Sequence, residues 1–222
     1  MTTIELLPDP DVSVRCAEFA RQIALDPGGT ALAVEEIIVA DVPLPWPKPV
    51  FDRDGFEGVP EWVRVAADQG RPVRVLAAVP LDDIADARVV VHRRPCVGAP
   101  RFDRVEHHVA PHDVPGLLRT LLAGGPDAST ATEVAVGELA EELLICTQGS
   151  HDLCCGSIGT RFAQQVGEAR PGLVLRRVSH TGGHRFAPTG VSLPDGRMWG
   201  GLEIDQMLAI LDRSGRPSSL RS

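Results

Sequence analysis

Two stretches of this chain run through the same succession of local patterns. In the first, EEIIVADV (35–42) is a β-branched strand followed by a proline-rich loop, PLPWPKP, and Pro60 opens a short helix through EWVRVAADQG. PVRVLAAV (72–79), ARVVVHRR (87–94) and roughly 102–109 then read as strands, and Leu117, Leu118, Leu121 and Leu122 mark a helix ending at Gly124-Gly125. In the second, ELLIC (142–146) reads as a buried strand, and Ile158, Phe162 and Val166 stripe a helix over about 156–169. LVLRRV (173–178) is a strand, GVSLPDGRMWG (190–200) a hairpin turning at Pro194-Asp195-Gly196, and Ile204, Met207, Leu208 and Leu211 a closing helix that stops near Gly215. Both stretches therefore run β-α-β-β-β-α. Such alternation predicts an α/β (α+β) chain with helices laid on a mixed sheet.

The small, turn-rich segment GGPDASTAT (124–132) is the natural linker and divides the chain into modules at 1–125 and 133–222. This order is that of thioredoxin-like proteins, so the chain reads as two tandem thioredoxin-like modules. Sequence identity between them is negligible, and the inference of a duplication rests on element order alone. A further helix over 12–25 opens the first module ahead of its first strand, with Cys16 on its apolar face as core filler.

Three of the five cysteines fall within ten positions of the second module, in CTQGSHDLCCGSIG, and HTGGH follows about 25 residues later. Cys146 ends the buried strand. Cys155 lies just before Gly156 and a helix, and Cys154 is its immediate neighbour. His180 ends another strand, and Gly182 and Gly183 make a helix through His184 improbable. They suit a tight loop with unusual backbone angles that aims two imidazoles at one point. Five is an odd number of cysteines, unevenly placed in a chain too large to need staples, so metal or redox chemistry is a better reading than a disulfide framework.

Two thiolates and two imidazoles suit a structural zinc. They equally suit a [2Fe–2S] cluster with one iron on sulfur and the other on nitrogen. Eight residues between Cys146 and Cys155 is long for a zinc knuckle and leaves room to wrap a larger group. Spacing alone leaves both open. A vicinal Cys154–Cys155 pair acting in thiol–disulfide exchange is a third reading, set against the C-x-x-C spacing such enzymes use.

Other classes are disfavoured. A net charge of −8 argues against nucleic acid as the main partner. No segment approaches the roughly 20 uninterrupted apolar residues of a membrane span. The N-terminus lacks the pattern of a secretory signal, so a cytoplasmic location is expected. No G-x-G-x-x-G or P-loop pattern supports a nucleotide cofactor. EHHVAPH, with His107, His108 and His112, looks like a metal site, but alternation along a strand sends His107 and His108 to opposite faces.

CTQGSHDLCCGSIG, SHTGGHRFAPTGVSLPDG and the closing WGGL resemble the sucrase/ferredoxin-like family, and GTA, PLPWP (43–47) and HRRP (92–95) resemble weaker landmarks of it. The best understood members are thioredoxin-like ferredoxins with a bis-histidine [2Fe–2S] cluster. The resemblance implies Cys146 and Cys155 as ligands of one iron and His180 and His184 as ligands of the other, with only the C-terminal module carrying metal. Cys154, His151, Gly156, Gly182, Gly183 and Arg185 would surround the ligands without binding. Gln148 and His151 stand where many members carry other residues. The implied role is a one-electron carrier or redox-responsive protein working with an unidentified redox partner, rather than a substrate-converting enzyme. A structural zinc module serving as an interaction surface is the alternative.

Overall fold

The computed structural model describes residues 15–80, 85–124 and 141–214. After a short helix α1 (Cys16–Gln22) the order is β1 (Glu36–Asp41), α2 (Val59–Asp68), β2 (Val73–Ala78), β3 (Ala87–Arg93), β4 (Asp103–Val109) and α3 (Val114–Leu122). It continues with β5 (Glu142–Cys146), α4 (Thr160–Ala169), β6 (Val174–Val178), β7 (Thr189–Leu193), β8 (Arg197–Gly200) and α5 (Ile204–Leu211). The mixed α/β class expected from the patterns is therefore observed. The linker segment lies outside the described residues apart from Gly124, as do the first residues of the expected N-terminal helix and Gly215.

The eight strands of the described residues join one sheet in the order β4-β3-β1-β2-β6-β5-β7-β8. Within the first half β1 pairs parallel with β2 and antiparallel with β3, and β3 pairs with β4. Within the second, β5 pairs parallel with β6 and antiparallel with β7, and β7 pairs with β8. The central strands β1 and β5 are buried along their whole length. That is why EIIVAD and ELLIC read as near-continuous apolar runs. The halves meet where β2 and β6 lie antiparallel, with Ala78 opposite Val178.

Alternation along the strands sends side chains to two faces. One face is covered by helices. In the first half, Ile38, Ala40, Val75, Val89 and Val91 pack under α2 and α3 against Val59, Leu118, Leu121 and Leu122. In the second, Leu143 and Ile145 pack under α4 and α5 against Phe162, Val166 and Met207. On the opposite face, among the described residues, the core holds no helical side chain. There Ile37, Val39, Leu76, Val90 and Phe102 of the first half join Leu144, Val178, Val191 and Leu193 of the second in a shared core. The backbone closes this seam as well, since the Phe102 amide donates to the Pro194 carbonyl at 2.7 Å.

This shared interior also holds charged groups. Arg176, fully buried, pairs with Asp41, whose other oxygen accepts from the Arg88 amide at 3.1 Å. His92 faces Glu142 at 3.3 Å, and Arg104 lies 3.8 Å from the same carboxylate. Burial alone would raise the Glu142 pKa, but His92, Arg176 and Arg104 together hold it below the usual carboxylate range.

Cys16 corrects the expectation of a core thiol: it is exposed, and Ala17 and Ala20 are the residues of α1 that bury. A seven-residue helix docked against the 184–186 turn approaches closest through its smallest side chains, and Ala17 meets Cys154 and Ala187 there.

Candidate metal centre

Three of the four expected ligands converge. Cys146 Sγ lies 3.8 Å and Cys155 Sγ 4.0 Å from His180 Nδ1, and the ligand atoms of all three lie within 4.8 Å of one another. Both sulfurs are fully buried. Cys146 comes from the C-terminal end of β5. His180 follows the C-terminal end of the neighbouring parallel strand β6, which places them side by side.

Cys155 opens a π-helical turn, Cys155–Gly159, that runs directly into α4. The sequence periodicity predicts an ordinary helix from about 156, and the wider first turn is not legible in it. The reason for the glycines there is close approach. A Cβ on Gly159 would sit 2.0 Å from the Cys146 carbonyl oxygen, and one on Gly156 would sit 2.5 Å from the Gly149 Cα. Only bare backbone lets this turn press the Cys155 thiol against Cys146.

The second loop behaves as its glycines foretell. Gly182 and Gly183 have φ of 109° and 64°, in the region that favours glycine, and they fold the chain back into a short 3-10 turn, His184–Phe186. This brings the His184 ring to 5.9 Å from that of His180. His184 lies outside the tight three-atom group. Its side chain is 44% exposed and its Nδ1 sits 3.4 Å from Asp152 Oδ2. A third imidazole stands beside them, with His151 stacked on His180 at 3.8 Å and an interplanar angle of 14°. Arg185 is exposed and leans over the Phe186 ring at 5.2 Å.

The thiols are electrostatically unequal. Cys146 accepts from the Cys155 thiol and, against the cost of burial, from His180 and the backbone of Gln148 and Thr181, which brings its pKa down to about 4. Cys155 is pushed up, because its proton is the one shared with Cys146. Cys154 is buried on the far side against α1, and burial raises its pKa. Burial would also raise Asp152, but hydrogen bonds from the Cys154 amide and thiol and the charge of His184 hold it low. Two sulfurs and an imidazole at these separations are a competent donor set for a metal ion.

A family model described as sucrase/ferredoxin-like matches residues 29–220. The chain belongs to the sucrase/ferredoxin-like family. No curated protein and no solved structure matches it.

In this sucrase/ferredoxin-like chain the first half also reaches the centre. Gln148 ties three segments together: its Oε1 accepts from the His180 amide at 3.0 Å, and its Nε2 donates to the Pro47 carbonyl at 2.9 Å and to Ser150 Oγ at 3.2 Å. Lys48 donates to the His151 carbonyl at 2.9 Å, and Arg74 of β2 donates to the His180 carbonyl. The PLPWP motif was the available signal. Its Trp46 is buried in the first core and donates to the Val42 carbonyl at 2.9 Å, which presents Pro47 to Gln148.

The histidines of EHHVAPH do not converge. His107 is buried, His108 pairs with Glu106 at 2.9 Å, and His112 is exposed near Asp113. Among the described residues, Cys146, Cys155 and His180 form the group able to hold a metal ion, and no helix is long and apolar enough to cross a membrane.

Proposed function

We propose that the chain is a [2Fe–2S] electron carrier or redox-responsive protein, with Cys146 and Cys155 holding one iron and His180 and His184 the other. The observation that carries this reading is the approach of two buried thiols and two imidazoles from separate loops at one end of a sheet, in a member of a family named for ferredoxins. Such a group, when bound, supplies reversible one-electron chemistry. Histidine-ligated clusters work at roughly −150 to +300 mV, against about −400 mV for all-thiolate plant-type ones, because neutral imidazoles carry less negative charge.

The chain's own residues do the rest. Gln148 and the two glycines of the second loop hold His180 toward the sulfurs. Asp152 holds His184, and His151 covers one face of His180. Burial of both sulfurs keeps water from the thiolate side, while His184, partly exposed, is the ligand through which a redox partner protein would be met. The two halves, 1–125 and 133–222, are read as tandem thioredoxin-like modules with metal only in the second. Their common order β-α-β-β-β-α and their matching strand arrangements support that reading. A cytoplasmic location accords with clustered, unpaired cysteines.

One observation favours a second reading. Separations of 3.8 and 4.0 Å between the sulfurs and His180 Nδ1 are those of neighbours around a single tetrahedral ion, so a structural zinc held by the same residues is the alternative. Visible absorption of freshly purified protein, with iron and acid-labile sulfide counted, decides between them. A brown protein is expected, and a colourless one with one zinc per chain would refute the cluster. His184→Cys should retain the cluster and lower its potential. An unchanged potential would remove His184 from the ligand set.

A further inference from the structure

All the ligands considered so far belong to the second half, yet a partly buried cation reaches them from the first. Arg74 lies on β2 on the same face as Leu76 and Ala78, the face turned toward the second half. Its Nη2 donates to the His180 carbonyl, while its Nε is buried without a hydrogen-bond partner. Its surroundings are largely apolar: Leu32, Val34, Ile37, Leu76 and Val191 line the same small cavity. Among the described residues no carboxylate lies within ion-pair distance of it, whereas Arg71, Arg88 and Arg176 each have one.

A guanidinium taken out of water is costly unless an opposing charge compensates. Burial accordingly pushes the Arg74 pKa down, and the group that pushes it back up is Cys146. Its hydrogen bond to the His180 carbonyl ties this cation to the loop that carries a proposed ligand. The hydrogen bond to His180 and the field at Cys146 act on two ligands from two strands at once.

We propose that Arg74 is a positioning residue of the centre, fixing the His180 backbone and supplying, from the half that holds no ligand, the positive charge that balances the thiolates. This rests on the cluster reading above for its effect on electron transfer. Adding an electron makes the centre more negative, so a fixed cation beside it favours the reduced form.

Two variants test this in the full-length protein, Arg74→Met, which keeps the stem, and Arg74→Lys, which keeps the charge. In cluster-loaded protein, Arg74→Met should shift the one-electron equilibrium toward the oxidised form by about tenfold, a potential lower by about 59 mV. Arg74→Lys should recover most of that shift, which a merely structural role would not produce. Equal potentials in all three proteins, or no recovery with lysine, would overturn the proposal and leave the cluster reading intact.

A wild-type protein without iron and sulfide would instead sink the cluster reading. Amide hydrogen exchange of metal-free protein then decides the positioning role alone. Thr181, Gly182 and Gly183 should exchange about tenfold faster in Arg74→Met, and unchanged exchange would overturn the proposal. Should Arg74→Met not fold, Arg74→Gln, which keeps a donor without the charge, takes its place in both measurements with the same expectations.

Discussion

The two halves of the sheet occupy the same strand positions with opposite chemistry. Counted from the first paired residue of each parallel strand pair, Cys146 stands where the first half has Ala40, and His180 where it has Val79. The loop after β1 places Trp46, Phe51 and Phe56 in the helix-covered core. The loop after β5 brings Gln148, His151 and Cys155 together around polar contacts. The ends of parallel strands thus offer one position that either aromatic packing or metal ligation can occupy. The first half gains stability from it, and the second gains a place for chemistry.

The sharpest way to break this contrast is to remove a sulfur from each side of it. Cys146→Ser or Cys155→Ser should leave purified protein with almost no bound metal, while Cys16→Ser and Cys96→Ser, both exposed, should leave the metal content unchanged by elemental analysis. Next in size, Phe51→Ala should destabilise the protein by about 3–5 kcal/mol, read from denaturant midpoints, because it empties a buried aromatic site. Leu153→Ala in the opposing loop, 76% exposed, should change stability by no more than about 0.5 kcal/mol.

Gln148→Ala tests whether the halves cooperate at the site. Losing the bonds to His180 and Pro47 should weaken metal retention about 10–100-fold in a chelator competition, the usual cost of removing a residue that orients a ligand. The smallest effect belongs to the charged interior between the halves. Glu142 titrates below its ordinary range in the folded chain, so its contribution to stability is fully present above a pH of about 4.3 and is lost as pH falls below it. Glu142→Gln should therefore flatten the acid limb of stability against pH, and an unchanged limb would mean that another carboxylate governs it.

Much of this contrast was legible in the sequence. ELLIC and EEIIVADV announce buried strands by composition, the leucine stripe announces α3, and Gly182-Gly183 announces a turn that only glycine makes easily. The convergence of Cys146, Cys155 and His180 was legible because each sits at the end of an element. Three things were not. The π-helical turn at Cys155 depends on backbone crowding at Gly159, which no periodicity records. Cys16 looked apolar by spacing, but a short helix buried its alanines instead. Arg74 and Gln148 act through partners 106 and 32 residues away, and an arginine in a strand carries no local sign of what it will touch.

The seam between the halves has a consequence for how the molecule comes apart. Ser179 donates to the Ala77 carbonyl at 2.7 Å and Val79 to the Arg177 carbonyl at 2.9 Å, so the zip joining the two halves of the sheet ends one residue before His180. Prising the halves open pulls on that histidine before anything else in its loop. Release of the metal and parting of the two halves should therefore be one cooperative event, a single calorimetric peak whose position moves with occupancy of the centre.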